Sequence, residues 1–178
     1  TLGSNALAVM ILAGKIAFVM VCLFVLLYYR VPGLVACIAL VLQVTGQLLA
    51  LSVPQFTLTL PGIAGLILSV GMGVDANIII SERIKEELNN GKTLRRAIDT
   101  GFERAFSAVF DGNITVIIVA IILIWLGSGS MLSFGYTLLC GVIMNFVAGV
   151  TASRLMIRSL SNYETLCRPQ YFGARRAG

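Results

Sequence analysis

Five stretches of this chain are apolar over about the length that crosses a bilayer, and that restricts its fold more than any other feature. Hydrocarbon is about 30 Å thick, so a helix rising 1.5 Å per residue needs about 20 apolar residues to cross it. The stretches run over about 6–29, 34–53, 60–81, 113–126 and 131–155, the fourth being short. Only 12% of residues are charged and 58% are hydrophobic, whereas a soluble domain carries about 25% charge. The first stretch is too long and unbroken for a signal peptide's apolar region, and no basic segment precedes it. The expected fold is therefore all-α: a polytopic membrane protein with five transmembrane helices.

The connections fit that plan. Tyr28, Tyr29 and Arg30 form an interfacial anchor, and Pro32-Gly33 predicts a tight turn after them. Pro54 and Pro61 bracket a second short loop, and Gly127-Ser-Gly-Ser130 forms a third. With the N-terminus outside, twelve of the thirteen Lys and Arg residues fall in or beside 30–33, 82–112 and the tail after about 154. That asymmetry follows the positive-inside rule and places the C-terminus in the cytoplasm. It also explains the net charge of +5 without nucleic acid. Lys15, inside the first span, is the exception, and its height suits snorkelling toward the outer side.

The connection 82–112 carries more than a loop. Glu82 to Leu88 should prolong the third helix, with Asn89-Asn90-Gly91 as its stop and Thr93 as the cap of the next helix. From there Leu94, Ala97, Ile98, Phe102, Ala105, Phe106, Val109 and Phe110 recur at helical spacing, with charge on the other face. This pattern predicts a cytoplasmic amphipathic helix over 93–110, lying at the interface. The expected organisation is a bundle over 1–160, including that helix, and a cytoplasmic tail over 161–178.

Within the third span sits Asp75, seven residues before Glu82. By helix rise it is about 10 Å below the cytoplasmic end, too deep for a short side chain to reach water. An ionised carboxylate at mid-membrane costs about 2.5–3.5 kcal/mol on insertion scales, so it needs a partner, a water pocket or a proton. Gly62, Gly65, Ser69, Gly71 and Gly73 give its helix a surface of small residues. Gly65, Ser69 and Gly73 form a line along which another helix can approach, so Asp75 is expected inside a bundle. The next span opens with Asp111-Gly-Asn113-Ile-Thr115, echoing Asp75-Ala-Asn77, and the two triplets could share one polar pocket. Asp111 is equally readable as a cap at the start of its helix. Arg154 is a possible counter-charge or a plain cytoplasmic anchor. Gly141, Asn145 and Gly149 add a small polar stripe to the last span, read as a packing device.

The chain has no histidine, and its four cysteines show neither metal-site nor disulfide spacing. No nucleophile–base pair, phosphate loop or metal motif is present, so neither enzymatic activity nor a cofactor is expected.

Gly71-Met-Gly-Val-Asp75-Ala-Asn77, then Ser81-Glu-Arg-Ile-Lys-Glu-Glu-Leu88 and Asn90-Gly-Lys92, resembles the SecD family of protein-export membrane proteins. So do Gly101-Phe102, Arg104-Ala-Phe106, Asp111-Gly-Asn113-Ile-Thr115 and the hairpin Leu27-Tyr-Tyr-Arg30-Val-Pro-Gly33. The resemblance implies six spans of the resistance–nodulation–division type, a large extracytoplasmic domain and pairing with SecF, separate or fused. It implies a bacterial inner-membrane location and assistance to the SecYEG channel and SecA. There the protein would use the proton motive force to complete passage of a translocating polypeptide. The acid matching Asp75 is the family's proton-coupling residue, with Asn77, Asp111, Asn113, Thr115 and Arg154 as its expected neighbours. Five spans without that domain read as the C-terminal membrane part of such a protein, or as a truncated or divergent product. Two other readings stand beside it: an exporter of small molecules or lipids from the same superfamily, and a purely structural assembly subunit.

Overall fold

The computed structural model describes residues 2–52 and 59–160. The second loop at 53–58 and the expected tail at 161–178 lie outside the described residues. The elements are α1 (Leu2–Tyr29), α2 (Val31–Ser52), α3 (Leu60–Asn89), α4 (Leu94–Leu126), α5 (Ser130–Met144), a π-helix (Asn145–Val150) and α6 (Thr151–Leu160). Among the described residues, five helical segments are long and apolar enough to cross a membrane, the last running from α5 through α6.

The first hairpin is tighter than expected. A single residue makes the turn: Arg30 has φ 53°, and Pro32 and Gly33 already belong to α2. Gly33 is required where it is, since a Cβ there would collide with the Val25 carbonyl. The Cys37 thiol donates to the Cys22 carbonyl at 3.5 Å across the same hairpin. α1 otherwise lies on the rim, with Val25 and Tyr29 its buried apolar residues among those described. Lys15 borders an apolar groove between α1, α2 and α3.

α3 starts cleanly. Thr59 caps it by accepting from the Gly62 amide at 3.3 Å, and Pro61 occupies the first turn, where its missing N–H costs nothing. It runs 30 residues, about 45 Å, so its last turns project beyond the hydrocarbon. The expected stop is present: Asn90 is the C-cap and Gly91 takes φ 82°. Thr93 is the N-cap of α4, although its side chain makes no capping bond.

The amphipathic segment departs from expectation. It is the first half of α4, a single helix of 33 residues that continues without a break into the span. Its apolar face is divided, with Phe106 and Phe110 exposed and the rest turned to α3. Ala97, Ile98, Phe102, Ala105 and Val109 pack with Ile80, Ile84 and Leu88 of α3 in the main hydrophobic core. The projecting end of α3 supplies the surface, and burial against it removes these side chains from water. Gly101 permits the contact, since a Cβ there would lie 2.9 Å from the Ile84 backbone nitrogen.

Glu87 fastens this hairpin. It is buried, and its carboxylate pairs with Lys92 Nζ at 2.5 Å and Arg104 Nη1 at 2.6 Å. The Lys92 hydrogen bond, helped by the Arg104 charge, holds its pKa below the ordinary carboxylate value against the opposing effect of burial. A depressed folded pKa stabilises the fold above the unfolded carboxyl pKa, and that stability is lost as pH falls through the folded value. Glu87→Gln is therefore expected to lower the thermal midpoint by several degrees at neutral pH. The difference from wild type should shrink below about pH 4, measured by thermal unfolding in detergent across a pH series.

Candidate functional site

α3 carries two different faces, and the candidate residues divide between them. Gly65, Ser69 and Gly73 face inward. A Cβ on Gly65 would lie 3.0 Å from the Phe134 ring, one on Gly141 would run into Ser69, and one on Gly73 would run into the Gln43 amide. The expected close approach of helices along this line is present, with α5 and α2 as the partners. Gly71 does not join them. It is exposed, and a Cβ there would have nothing within 4 Å. Two residues are about 200° of helix rotation, which puts Gly71 on the opposite side.

Asp75 shares that outer side. It is exposed and points out of this bundle, contrary to the expectation that it lies inside. The reason is the same rotation: the small-residue line that buries α3 ends at Gly73, about 200° away from Asp75. Asp75 borders a groove of about 140 Å³ between α3 and α4, with Met72, Ala76, Ala108, Gly112, Asn113 and Val116 also on its walls. Gly112 is exposed with nothing within 4 Å of its missing Cβ. An acid at membrane depth is thus flanked by Gly71 and Gly112, both left open.

The two Asp-x-Asn triplets come together only in part. Asn113 borders the Asp75 groove; it is buried, donates to the Val109 carbonyl at 2.7 Å, and keeps its Oδ1 without a partner. Asn77 faces the other way. Its amide donates to the Gly73 carbonyl at 2.9 Å, and its Oδ1 accepts from Ser153 of α6 at 2.5 Å. Asp111 lies within α4, so it caps nothing, and both it and Thr115 are exposed away from the groove. Arg154 is exposed on α6 and forms no ion pair with Asp75 or Asp111. Among the described residues no Lys or Arg is paired with Asp75.

On the inner face lies a polar line that the sequence reading passed over. Gln47 Nε2 donates to the Thr137 carbonyl at 3.0 Å, and Ser69 Oγ donates to Gln47 Oε1 at 2.7 Å. Gln43 Nε2 donates to the Ser69 carbonyl at 3.1 Å. Two glutamines four residues apart in an otherwise apolar helix are the signal that could have found it, by the same logic that singled out Asp75.

Comparison with known proteins decides the family. The family described as "Protein export membrane protein SecD/SecF, C-terminal" matches residues 1–162. The chain belongs to the SecD/SecF family. Among SecD relatives, the protein translocase subunit SecD of Acidaminococcus fermentans is 44% identical over 175 residues, covering 98% of this chain and 42% of that protein. The protein translocase subunit SecDF of Bacillus subtilis is 42% identical over 98% of this chain and 24% of its own length. The crystal structure of SecDF from Thermus thermophilus, described as a translocon-associated membrane protein, superposes with a TM-score of 0.87. It is 37% identical, covering 91% of this chain and 23% of that one. The chain thus spans less than half the length of these SecD and SecDF relatives. With five apolar spans and this kinship, it is a multi-pass bacterial membrane protein of the SecD type.

Proposed function

We propose that this chain is the membrane-embedded part of a SecD subunit in which Asp75 couples the proton motive force to late steps of polypeptide export. One observation carries the reading: a carboxylate within the third apolar span stands on an open face, with no Lys or Arg among the described residues paired to it. Ionised, it is costly there, by about 2.5–3.5 kcal/mol; protonated, it can lie against apolar surface. Its proton is therefore worth enough to favour one helix arrangement over another. The unpartnered Asn113 Oδ1 on the wall of the same groove is an acceptor that a protonated carboxyl or a water could use.

The open face also supports a partner. Gly71 and Gly112 leave room for a facing helix, and the SecDF relatives are longer chains whose names join SecD to SecF. A SecF half, fused or separate, would cover Asp75 and supply the missing cation or hydrogen-bond donors. SecYEG, SecA and the emerging polypeptide follow as the wider partners, with the N-terminus of this segment outside and the C-terminus in the cytoplasm by charge bias. Arg154 and Asp111 then act from the cytoplasmic half of the bundle, Thr115 lies one turn further from the cytoplasm on α4, and Asn77 acts by holding α3 to α6.

Gly112→Trp tests the covered face. The bundle has space for the ring, so the full-length protein is expected to insert and to melt as wild type does. Recovery of SecF with it, and export of secreted proteins, are expected to fall to background. Normal SecF recovery together with normal export would refute the reading. Retained SecF recovery with lost transport of a small molecule would favour the exporter alternative instead.

A further inference from the structure

The centre of the bundle holds buried amide groups that the proton-coupling reading does not use. Gln43 is 0% exposed and Asn145 1% exposed, yet Gln43 Oε1 and both polar atoms of the Asn145 side chain lack a hydrogen-bond partner. The orientation of Gln43 is fixed: its Nε2 donates to the Ser69 carbonyl, so turning the amide over would set oxygen against oxygen. Its Oε1 is therefore an acceptor aimed inward. The two oxygens converge on one glycine. A Cβ placed on Gly149 would lie 2.7 Å from Asn145 Oδ1 and 3.4 Å from Gln43 Oε1.

The local backbone is built around this point. Asn145 opens the π-helix, and Thr151 Oγ1 donates to the Phe146 carbonyl at 2.9 Å within the widened turn. Such turns gather at sites where a helix must re-aim side chains. Gly73 of α3 and Gly149 of the π-helix both lack a side chain where Gln43 sits. Unpaired amides in a buried site are expensive, and a buried polar pocket satisfies them with an ordered water that makes 2–4 hydrogen bonds.

We propose that a water molecule is bound between α2, α3 and the π-helix, donating to Gln43 Oε1 and bonding to the Asn145 amide. It extends the line Thr137–Gln47–Ser69–Gln43 to the π-helix, so that α2 and the lower half of the last span move together. Two neutral amides are a poor donor set for a metal cation, which favours water as the occupant.

A structure of the full-length protein at a resolution that shows ordered water tests the site directly. The expected result is a peak within hydrogen-bond distance of both Gln43 Oε1 and the Asn145 side chain. A direct amide–amide bond with no peak between the two side chains would overturn the proposal. So would a peak that scatters anomalously after exchange into Rb⁺, since the occupant would then be a cation. Gly149→Ala gives a second readout. Its methyl occupies the convergence point, so the peak should vanish and the thermal midpoint fall by several degrees. An unchanged midpoint with the peak still in place would also overturn it. None of these readouts depends on export activity, so they stand apart from the fate of the Asp75 reading.

Discussion

Gly141→Val is expected to prevent this bundle from folding. A Cβ at Gly141 would collide with the Ser69 Cβ, whose position the α3 backbone fixes, so no rotamer change relieves the clash. Overpacking alone costs about 1–3 kcal/mol. Gln47 of α2 bridges the two helices, so separating α3 from α5 would also break at least one of the Ser69–Gln47 and Gln47–Thr137 hydrogen bonds. Each buried polar group left unpaired adds about 1–3 kcal/mol. The sum is comparable to the entire stability of a typical domain, about 5–15 kcal/mol. The expected outcome is loss of the protein from the membrane fraction, or of its cooperative melting transition in detergent. Ala64→Val is the control: Ala64 is exposed on α3, and the change should leave the yield unaltered.

This chain is most legible from its residues where one physical constraint acts alone. Membrane thickness and backbone satisfaction require helices of span length, so five spans were readable from apolar runs. The line Gly65–Ser69–Gly73 was readable as a packing face because small residues four apart have little other use in a membrane helix. What could not be read was rotation between helices. Asp75 and Gly73 are two residues apart, and sequence alone does not say which of their opposite faces meets the bundle. The amphipathic segment at 93–110 was legible only in part for a similar reason. Its pattern fits an interface and a neighbouring helix equally well, and the projecting end of α3 takes up part of that face. The π-helix at Asn145–Val150 has no signature in the apolar pattern, which runs through it unchanged.

Asp75→Asn carries the second large effect. Asparagine keeps the shape of the side chain and removes both its charge and its exchangeable proton. On the outer face of α3 it breaks no hydrogen bond or ion pair within the described part of this chain. Insertion and melting of this part of the protein should therefore match wild type. One elementary charge moved across 100 mV is worth about 2.3 kcal/mol, a shift of about fifty-fold in a two-state equilibrium. A side chain that cannot bind and release a proton forfeits that entire bias.

The decisive measurement is the export rate of a secreted protein in membranes whose full-length SecD carries Asp75→Asn, taken with the proton motive force intact and after its collapse by an uncoupler. Wild type is expected to slow on collapse, while the variant starts at the slow rate and does not change. A variant that exports as fast as wild type and slows to the same extent on collapse would contradict that expectation.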